Sequence, residues 1–242
     1  MKYYPLFLDI TKYKCLVLGA GVVARRKISA LLKAEPLEII VIDPFLPEED
    51  FMRAFFDEYG FKPRVSYCQR NFCPKDFEQV RLAFAATASS EVNGDFLKIC
   101  AENNIFCNAA ESPERGDFIV PAHLDYDSLI FALSSSGVSP AFTKALKEDL
   151  NNWVLKGYVP FLRLLQILRP LILDNVEEKK RAELFRALAA KDFREEIMAL
   201  IELKKFHELH RKLAQILPQS VFSKIDDKEI TMLKKNKEEN VC

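Results

Sequence analysis

Glycine is scarce in this chain: seven among 242 residues, six of them before position 157. That excludes a glycine-rich fibrous or low-complexity protein. Histidine is scarcer, with three. His207 and His210 form H-E-L-H, one residue short of the zinc-protease spacing H-E-x-x-H, so they read as part of a solvated helix face. The six cysteines, at 15, 68, 73, 100, 107 and 242, include no Cys-x-x-Cys pair. A structural zinc site is not expected, and reduced, buried thiols in a cytoplasmic protein are. Net charge is missing too, with 35 basic against 35 acidic side chains. That balance argues against a general binder of nucleic acid or of membrane surfaces. No apolar run has membrane-spanning length. The nearest, from Phe161 to Leu173, contains Arg163, Arg169 and Pro170. The opening MKYYPLFLDI lacks an apolar h-region followed by a small-residue cleavage site, so no signal peptide is expected.

What is present is an ordinary globular composition, 49% apolar and 29% charged, in a chain long enough for one large domain or two modest ones. Charge divides it: residues 1–150 carry −4 and residues 151–242 carry +4. The first part alternates between two periodicities. KCLVLG (14–19), LEIIVID (37–43), RVSYCQ (64–69), VRLAFAAT (80–87) and IFCNAA (105–110) read as strands. VVARRKISALLKA reads as a helix with Val23, Ile28, Leu31 and Leu32 at helical spacing, ended by Pro36. A second helix is expected around EEDFMRAFFDEY. A third is expected over SSEVNGDFLKICAENN, with a serine near its start and Gly94 weakening it. Strands alternating with helices imply parallel β-α-β units in an open, doubly wound sheet.

After residue 111 the pattern changes. DFIVPAHL and SLIFALSS are extended runs around a turn-like DYD, and Ser139-Pro140 reads as an N-cap and N1 pair opening a helix to about Asn151. From Tyr158 to about Pro218 the pattern is helical. Its stripes are Leu162, Leu165, Ile167 and Leu168; then Leu184, Phe185 and Leu188; then Ile197, Leu200, Ile201 and Leu203, with breaks at Asp174-Asn175 and Asp192. The tail from Ser223 is polar and expected to fray.

Three segments can carry chemistry. Gly19-Ala20-Gly21-Val22-Val23-Ala24 is G-x-G-x-x-A between a strand and a helix, and Asp43 stands 24 residues beyond Gly19 at the end of the second strand. Gly19 permits a tight turn, Gly21 lets the backbone approach a pyrophosphate, and Ala24 lets helix and sheet pack closely. Asp43 can accept hydrogen bonds from a ribose. The plainer reading is a tight turn with no ligand. Arg25, Arg26 and Lys27 follow at once, where the helix macrodipole disfavours cations, so they mark either an acidic ligand nearby or a solvated basic face. Ser134-Ser135-Ser136-Gly137-Val138-Ser139-Pro140 is either an anion-holding turn or a capped loop. His123 reads as a core or interface histidine. Trp153 and the aromatics Phe51, Phe55, Phe56, Tyr59 and Phe61 read as core and interface.

Several of these segments together carry a resemblance. YYPLFLDI, LVLGAGVVARRK, FAATASSEVN, IFCNAAESPERGDFIVPA and FALSSSGVSPAFTKALKEDL stand in the order of the matching motifs of the precorrin-2 dehydrogenase/sirohydrochlorin ferrochelatase family, which includes the N-terminal module of siroheme synthase. About the first 150 residues resemble it. The resemblance implies a Rossmann-like parallel-sheet NAD-binding domain over 1–112 and a central dimerisation region with strands over 113–150; the helical pattern, without a family motif, makes 151–242 an all-helical domain. It implies oxidation of precorrin-2, an octacarboxylate tetrapyrrole, to sirohydrochlorin with NAD as hydride acceptor, in a cytoplasmic homodimer. Fe²⁺ would be a further substrate if the chain also chelates metal. A non-catalytic nucleotide- or tetrapyrrole-binding module is the alternative of another class. By motif position Gly19, Gly21, Val22, Val23, Asp43, Pro44 and Thr87 line the nucleotide site and Ser135 falls in the tetrapyrrole site; charge matching alone, not a motif, sets Arg25 near the substrate's carboxylates. Where the family has an aspartate in NVVD-x-P, this chain has Glu111 in NAAESP, a carboxylate one methylene longer. Glu111 is therefore the candidate catalytic base, unless it is a loop residue before Pro113.

Overall fold

The computed structural model describes residues 3–45, 65–126, 129–155 and 157–233. The helix expected around EEDFMRAFFDEY, the aromatics from Phe51 to Phe61 and Cys242 lie outside the described residues. The chain divides into two compact units, Met1–Val120 and Pro121–Cys242.

In the first unit the five expected strands form: β1 (Lys14–Leu18), β2 (Glu38–Ile42), β3 (Val65–Cys68), β4 (Val80–Ala85) and β5 (Phe106–Ala109). They make one parallel sheet in the order β3-β2-β1-β4-β5. Both faces are covered, and the period-2 alternation sorts side chains between them. Cys15 and Val17 of β1 face helix α1 (Val22–Lys33), together with Ile28, Leu31, Ile39, Val41 and Phe84. Leu16 and Leu18 join Ile42, Ala83, Ala85, Phe96 and Cys100 on the opposite face, the last two from helix α2 (Ser90–Glu102). Each fully buried Leu, Ile or Phe adds ~1.5–3 kcal/mol of transfer free energy, so these two layers account for much of the unit's stability. The buried stripe of α1 is Ala24, Ile28, Leu31 and Leu32. Val23, expected in that stripe, is instead over a third exposed, because helical phase turns it to the rim at the N-terminus. Glu35, in the left-handed region at φ 52°, turns the chain out of the helix before Pro36. The serine near the start of α2 is its N-cap: Ser89 Oγ accepts from Val92 N at 3.3 Å.

Beyond β5 the chain makes a 3₁₀ turn (Pro113–Arg115) and runs back along the strand. Asp117 N donates to Cys107 O at 2.8 Å, and Cys107 N donates to Asp117 Oδ2 at 2.8 Å. Asn108 Nδ2 donates to Phe118 O at 2.9 Å, and the Phe118 ring meets Phe84 edge-on. The extended run DFIVPAHL is therefore split. Its first part covers the open edge of β5, a usual way of blunting an exposed sheet edge, and only its end enters a hairpin.

That hairpin, β6 (Ala122–Asp125) with β7 (Ile130–Leu133), belongs to the second unit. Leu124 is buried, and alternation puts His123 on the other, exposed face, so the core reading of this histidine fails. Helix α3 (Pro140–Leu155) runs past the expected end at Asn151, and Ser139 caps it by accepting from Phe142 N. Six further helices follow among the described residues: α4 (Tyr158–Asn175), α5 (Glu178–Ala189), α6 (Lys191–Glu202), α7 (Phe206–Ile216), α8 (Gln219–Phe222) and α9 (Asp227–Met232). Their core centres on α4, but through Phe161, Leu164, Leu168 and Ile172, a stripe rotated from the one the periodicity indicated. Leu203, expected in a stripe, is exposed at the C-cap of α6. The break expected at Asp192 falls two residues earlier, at Ala190, and Asp192 itself lies in the first turn of α6, where a carboxylate suits the dipole. The tail does not fray at Ser223 either. Asp226 caps α9, and Ile230 and Leu233 are buried in the helical core. His207 is exposed, while His210 rests edge-on against Phe222. No described helix is long and apolar enough to cross a membrane.

Candidate functional site

In the first unit β1 is flanked by β2 on one side and β4 on the other, and the chain leaves outward to β3 before returning to β4. Loops after β1 and β4 therefore diverge at the carboxyl edge, where open α/β sheets form a ligand crevice. Gly19 follows β1 at φ +102°. A Cβ there would lie 2.7 Å from Ala86 O, so no other residue fits this turn without moving backbone. Gly21 is different. Its φ of −76° suits any residue, and an added Cβ would meet nothing within 4 Å. Its side faces open space at the start of α1, whose N-cap makes no side-chain hydrogen bond and whose first turn holds no acid. Orphan N–H groups, the positive end of a helix and a missing Cβ together fit a diphosphate. Val22 and Val23 are exposed beside them, and Ala24 is fully buried against the sheet.

Asp43 follows β2 and holds the loop. Its Oδ2 accepts from Ala20 N at 2.8 Å and its Oδ1 from Phe45 N at 2.9 Å. Each oxygen keeps a second lone pair for a ribose hydroxyl. Pro44 is exposed in the turn that these bonds shape. Tyr67 braces the same turn from β3, its hydroxyl donating to Phe45 O; burial and then the Asp43 charge push its phenol above the usual range.

Thr87, after β4, is half-buried and fully engaged. Its Oγ1 donates to Asn93 Oδ1 at 2.7 Å and accepts from Ser89 N, while Asn93 Nδ2 donates to Thr87 O at 2.9 Å. The hydroxyl has no spare proton. Asn93, only 6% exposed, is a residue the sequence reasoning passed over, although it ends the FAATASSEVN segment.

Glu111 lies just past β5 on the same edge. It is exposed, and no described residue bonds or pairs with it. With Ser90, Asn93, Ala110, Ser112 and Arg115 it lines a small, open recess at the surface. Arg115 carried no sequence signal. On α1, Arg25, Arg26 and Lys27 have no carboxylate partner among the described residues, and burial, with the Arg26 charge next, pulls the Lys27 ammonium below its usual range.

Ser135 belongs to the second unit. Its Oγ accepts from Ser139 N at 3.1 Å and bonds Thr143 Oγ1 at 2.9 Å. Ser136 and Gly137, both at positive φ, turn the chain there, so within this unit the serine loop is a capped turn. Cys15, Cys100 and Cys107 are buried free thiols as expected; burial raises the Cys15 thiol to about 12. Cys68 and Cys73 are only half-buried. Among the described residues no three His, Cys, Asp or Glu cluster as a metal site.

A parallel doubly wound sheet with a glycine turn at a helix start and an acid after β2 defines the Rossmann-like dinucleotide-binding class. Comparison with known proteins agrees. A family model described as "Putative NAD(P)-binding" matches residues 6–122. A siroheme synthase of Nitrosococcus oceani is 33% identical over 158 residues, 65% of this chain and 32% of that protein. Siroheme synthase 2 of Pectobacterium atrosepticum is 33% identical over 152 residues, 63% of this chain and 32% of that one. The matched region thus spans about a third of the length of these curated relatives. The solved structure of "SirC, precorrin-2 dehydrogenase" superposes with a TM-score of 0.70 at 27% identity, covering 88% of this chain and 98% of that one. In sequence and in structure the chain is homologous to the siroheme synthase/precorrin-2 dehydrogenase family, in its N-terminal module region.

Proposed function

We propose that this chain is an NAD-dependent precorrin-2 dehydrogenase, converting precorrin-2 to sirohydrochlorin for siroheme formation. The observation that carries the reading is the pair of glycines at the sheet edge: Gly19 closes the turn against Ala86, and Gly21 leaves open space over the start of α1. When bound there, NAD⁺ supplies the hydride acceptor. The chain's own residues do the rest. Gly21 admits phosphate to the backbone N–H groups of α1, while Asp43 holds the loop and keeps lone pairs for the ribose. Val22 and Val23 give apolar cover, Pro44 shapes the turn beyond Asp43, and Thr87 with Asn93 fixes the opposite wall. Glu111, ionisable and without a protein partner, accepts the proton that leaves with the hydride. Arg25 and Ser135 are assigned to the substrate's carboxylates.

The working form is a homodimer built on the central region. Ile130 of β7 and Phe142, Leu146 and Trp153, spaced along one side of α3, are exposed in the single chain. An apolar patch of that kind favours cover by a second subunit.

The test is a coupled assay with precorrin-2, NAD⁺ and Fe²⁺. NADH absorbance appearing only with precorrin-2 supports the reading. Iron-dependent loss of sirohydrochlorin with siroheme formation identifies a second, chelatase activity. NAD⁺ or tetrapyrrole binding without turnover would leave a binding module and overturn the enzyme assignment.

A further inference from the structure

Gly94 occupies the interior of α2, where glycine weakens a helix relative to alanine. The structure gives it a reason. A Cβ at Gly94 would lie 2.9 Å from Nη2 of Arg115. The bare helix surface is where the Arg115 guanidinium rests, and no acceptor among the described residues takes it. The backbone beneath is fixed while the charged end is not. Arg115 N donates to Ser112 O at 2.9 Å, and the next residues are tied to β5 through Asp117. Gly116 is pressed so close to the strand that a Cβ would lie 2.8 Å from Ala109 N. Arg115 and Glu111 line the same recess without pairing with each other.

We propose that Arg115 is the substrate anchor of this recess: its guanidinium takes one carboxylate of the acidic macrocycle and so sets the ring against Glu111. This rests on the dehydrogenase reading above. An arginine fork matches a planar carboxylate in two parallel hydrogen bonds. The first turn of α2, with Ser90 on the recess wall, adds the positive end of a helix on the same side. Glu111 repels a second carboxylate, so the recess has polarity: the anion binds at Arg115, and the C–H to be broken lies at the Glu111 end.

The experiment titrates the full chain with sirohydrochlorin, the octacarboxylate product, by its visible absorbance, beside initial rates with precorrin-2 and a separate NAD⁺ titration. Arg115→Gln should weaken sirohydrochlorin about tenfold or more and raise KM for precorrin-2 equally, the scale of one lost charge-assisted pair, with NAD⁺ affinity unchanged. Arg115→Lys should recover part of the loss. Gly94→Ala should displace the guanidinium and weaken sirohydrochlorin severalfold while Tm holds or rises, because alanine favours the helix. Unchanged sirohydrochlorin affinity in Arg115→Gln, or a loss confined to NAD⁺, overturns the anchor while the dehydrogenase reading stands. Unchanged affinity in Gly94→Ala overturns the placement over the helix. A wild-type chain that neither binds sirohydrochlorin nor oxidises precorrin-2 overturns both proposals.

Discussion

Gly19 and Gly21 are two residues apart, yet the same substitution should damage different properties. In Gly19→Ala the new Cβ would sit 2.7 Å from Ala86 O and 3.2 Å from Thr87 N, backbone atoms of the neighbouring strand end that cannot swing aside. The residue would also hold φ +102°. Backbone strain of that kind costs ~1–3 kcal/mol and overpacking a further ~1–3 kcal/mol. A total of about 2–6 kcal/mol lowers Tm by roughly 6–24 °C for a unit of this size. In Gly21→Ala the Cβ meets nothing within 4 Å and φ is −76°. Only the modest N-cap preference for glycine is lost, up to ~1 kcal/mol, so Tm should move by no more than about 4 °C. The space lost is instead the space over the α1 amides, and NAD⁺ affinity should fall about tenfold or more. Thermal unfolding by circular dichroism and calorimetric titration with NAD⁺ read the two effects separately. A folded Gly21→Ala protein that binds NAD⁺ within twofold of wild type would refute the placement of the phosphates, and a Gly19→Ala protein of unchanged Tm would refute the steric argument.

Glu111→Gln should lower kcat about a hundredfold with little change in NAD⁺ affinity, and Glu111→Asp should retain part of the rate; a normal rate in the glutamine variant makes Glu111 structural. Asp43→Asn puts an amide NH₂ against Ala20 N or Phe45 N, so it should weaken NAD⁺ about tenfold or more and narrow a preference over NADP⁺. Tighter NADP⁺ than NAD⁺ binding by wild type would defeat the role given to this carboxylate. Light scattering should give about twice the chain mass of 27.8 kDa, and Trp153→Glu should shift the population to monomer; a monomeric wild type at micromolar concentration removes the dimer. Arg70 pairs with Asp76 through two hydrogen bonds of 2.8 and 2.6 Å, and this pair, aided by Cys73 N, holds the Asp76 carboxyl below its usual range. A depressed folded-state pKa gives stability that is full above the unfolded value near ~4 and lost as pH falls through the folded one. Asp76→Asn should therefore flatten the acid limb of Tm against pH below about 4, and an unchanged limb would show that the pair contributes nothing.

The five strands of the first unit, its two described helices and the glycine turn between β1 and α1 were legible in the sequence. Buried strands of a parallel sheet read as short β-branched runs, and G-x-G-x-x-A records a local steric demand, so both are written in consecutive residues. The motif could not show that the two glycines do different work. That depends on Ala86, brought beside Gly19 by the pairing of β1 with β4. Nor could it show that Asp43 is already bonded to Ala20 across the loop. The rotation of the α4 stripe, the burial of Ile230 and Leu233 and the exposure of His123 were likewise decided by neighbours. Periodicity tells that a helix has an apolar side, but packing chooses which residues at its margin are covered. Arg115 is the extreme case. Nothing around it in the chain marks it, and its position over Gly94 exists only because the turn after β5 folds back on α2. Local patterns fix what a segment can become, whereas long-range packing fixes what each side chain meets, and in this protein the unpaired charges at the recess belong to the second kind of information.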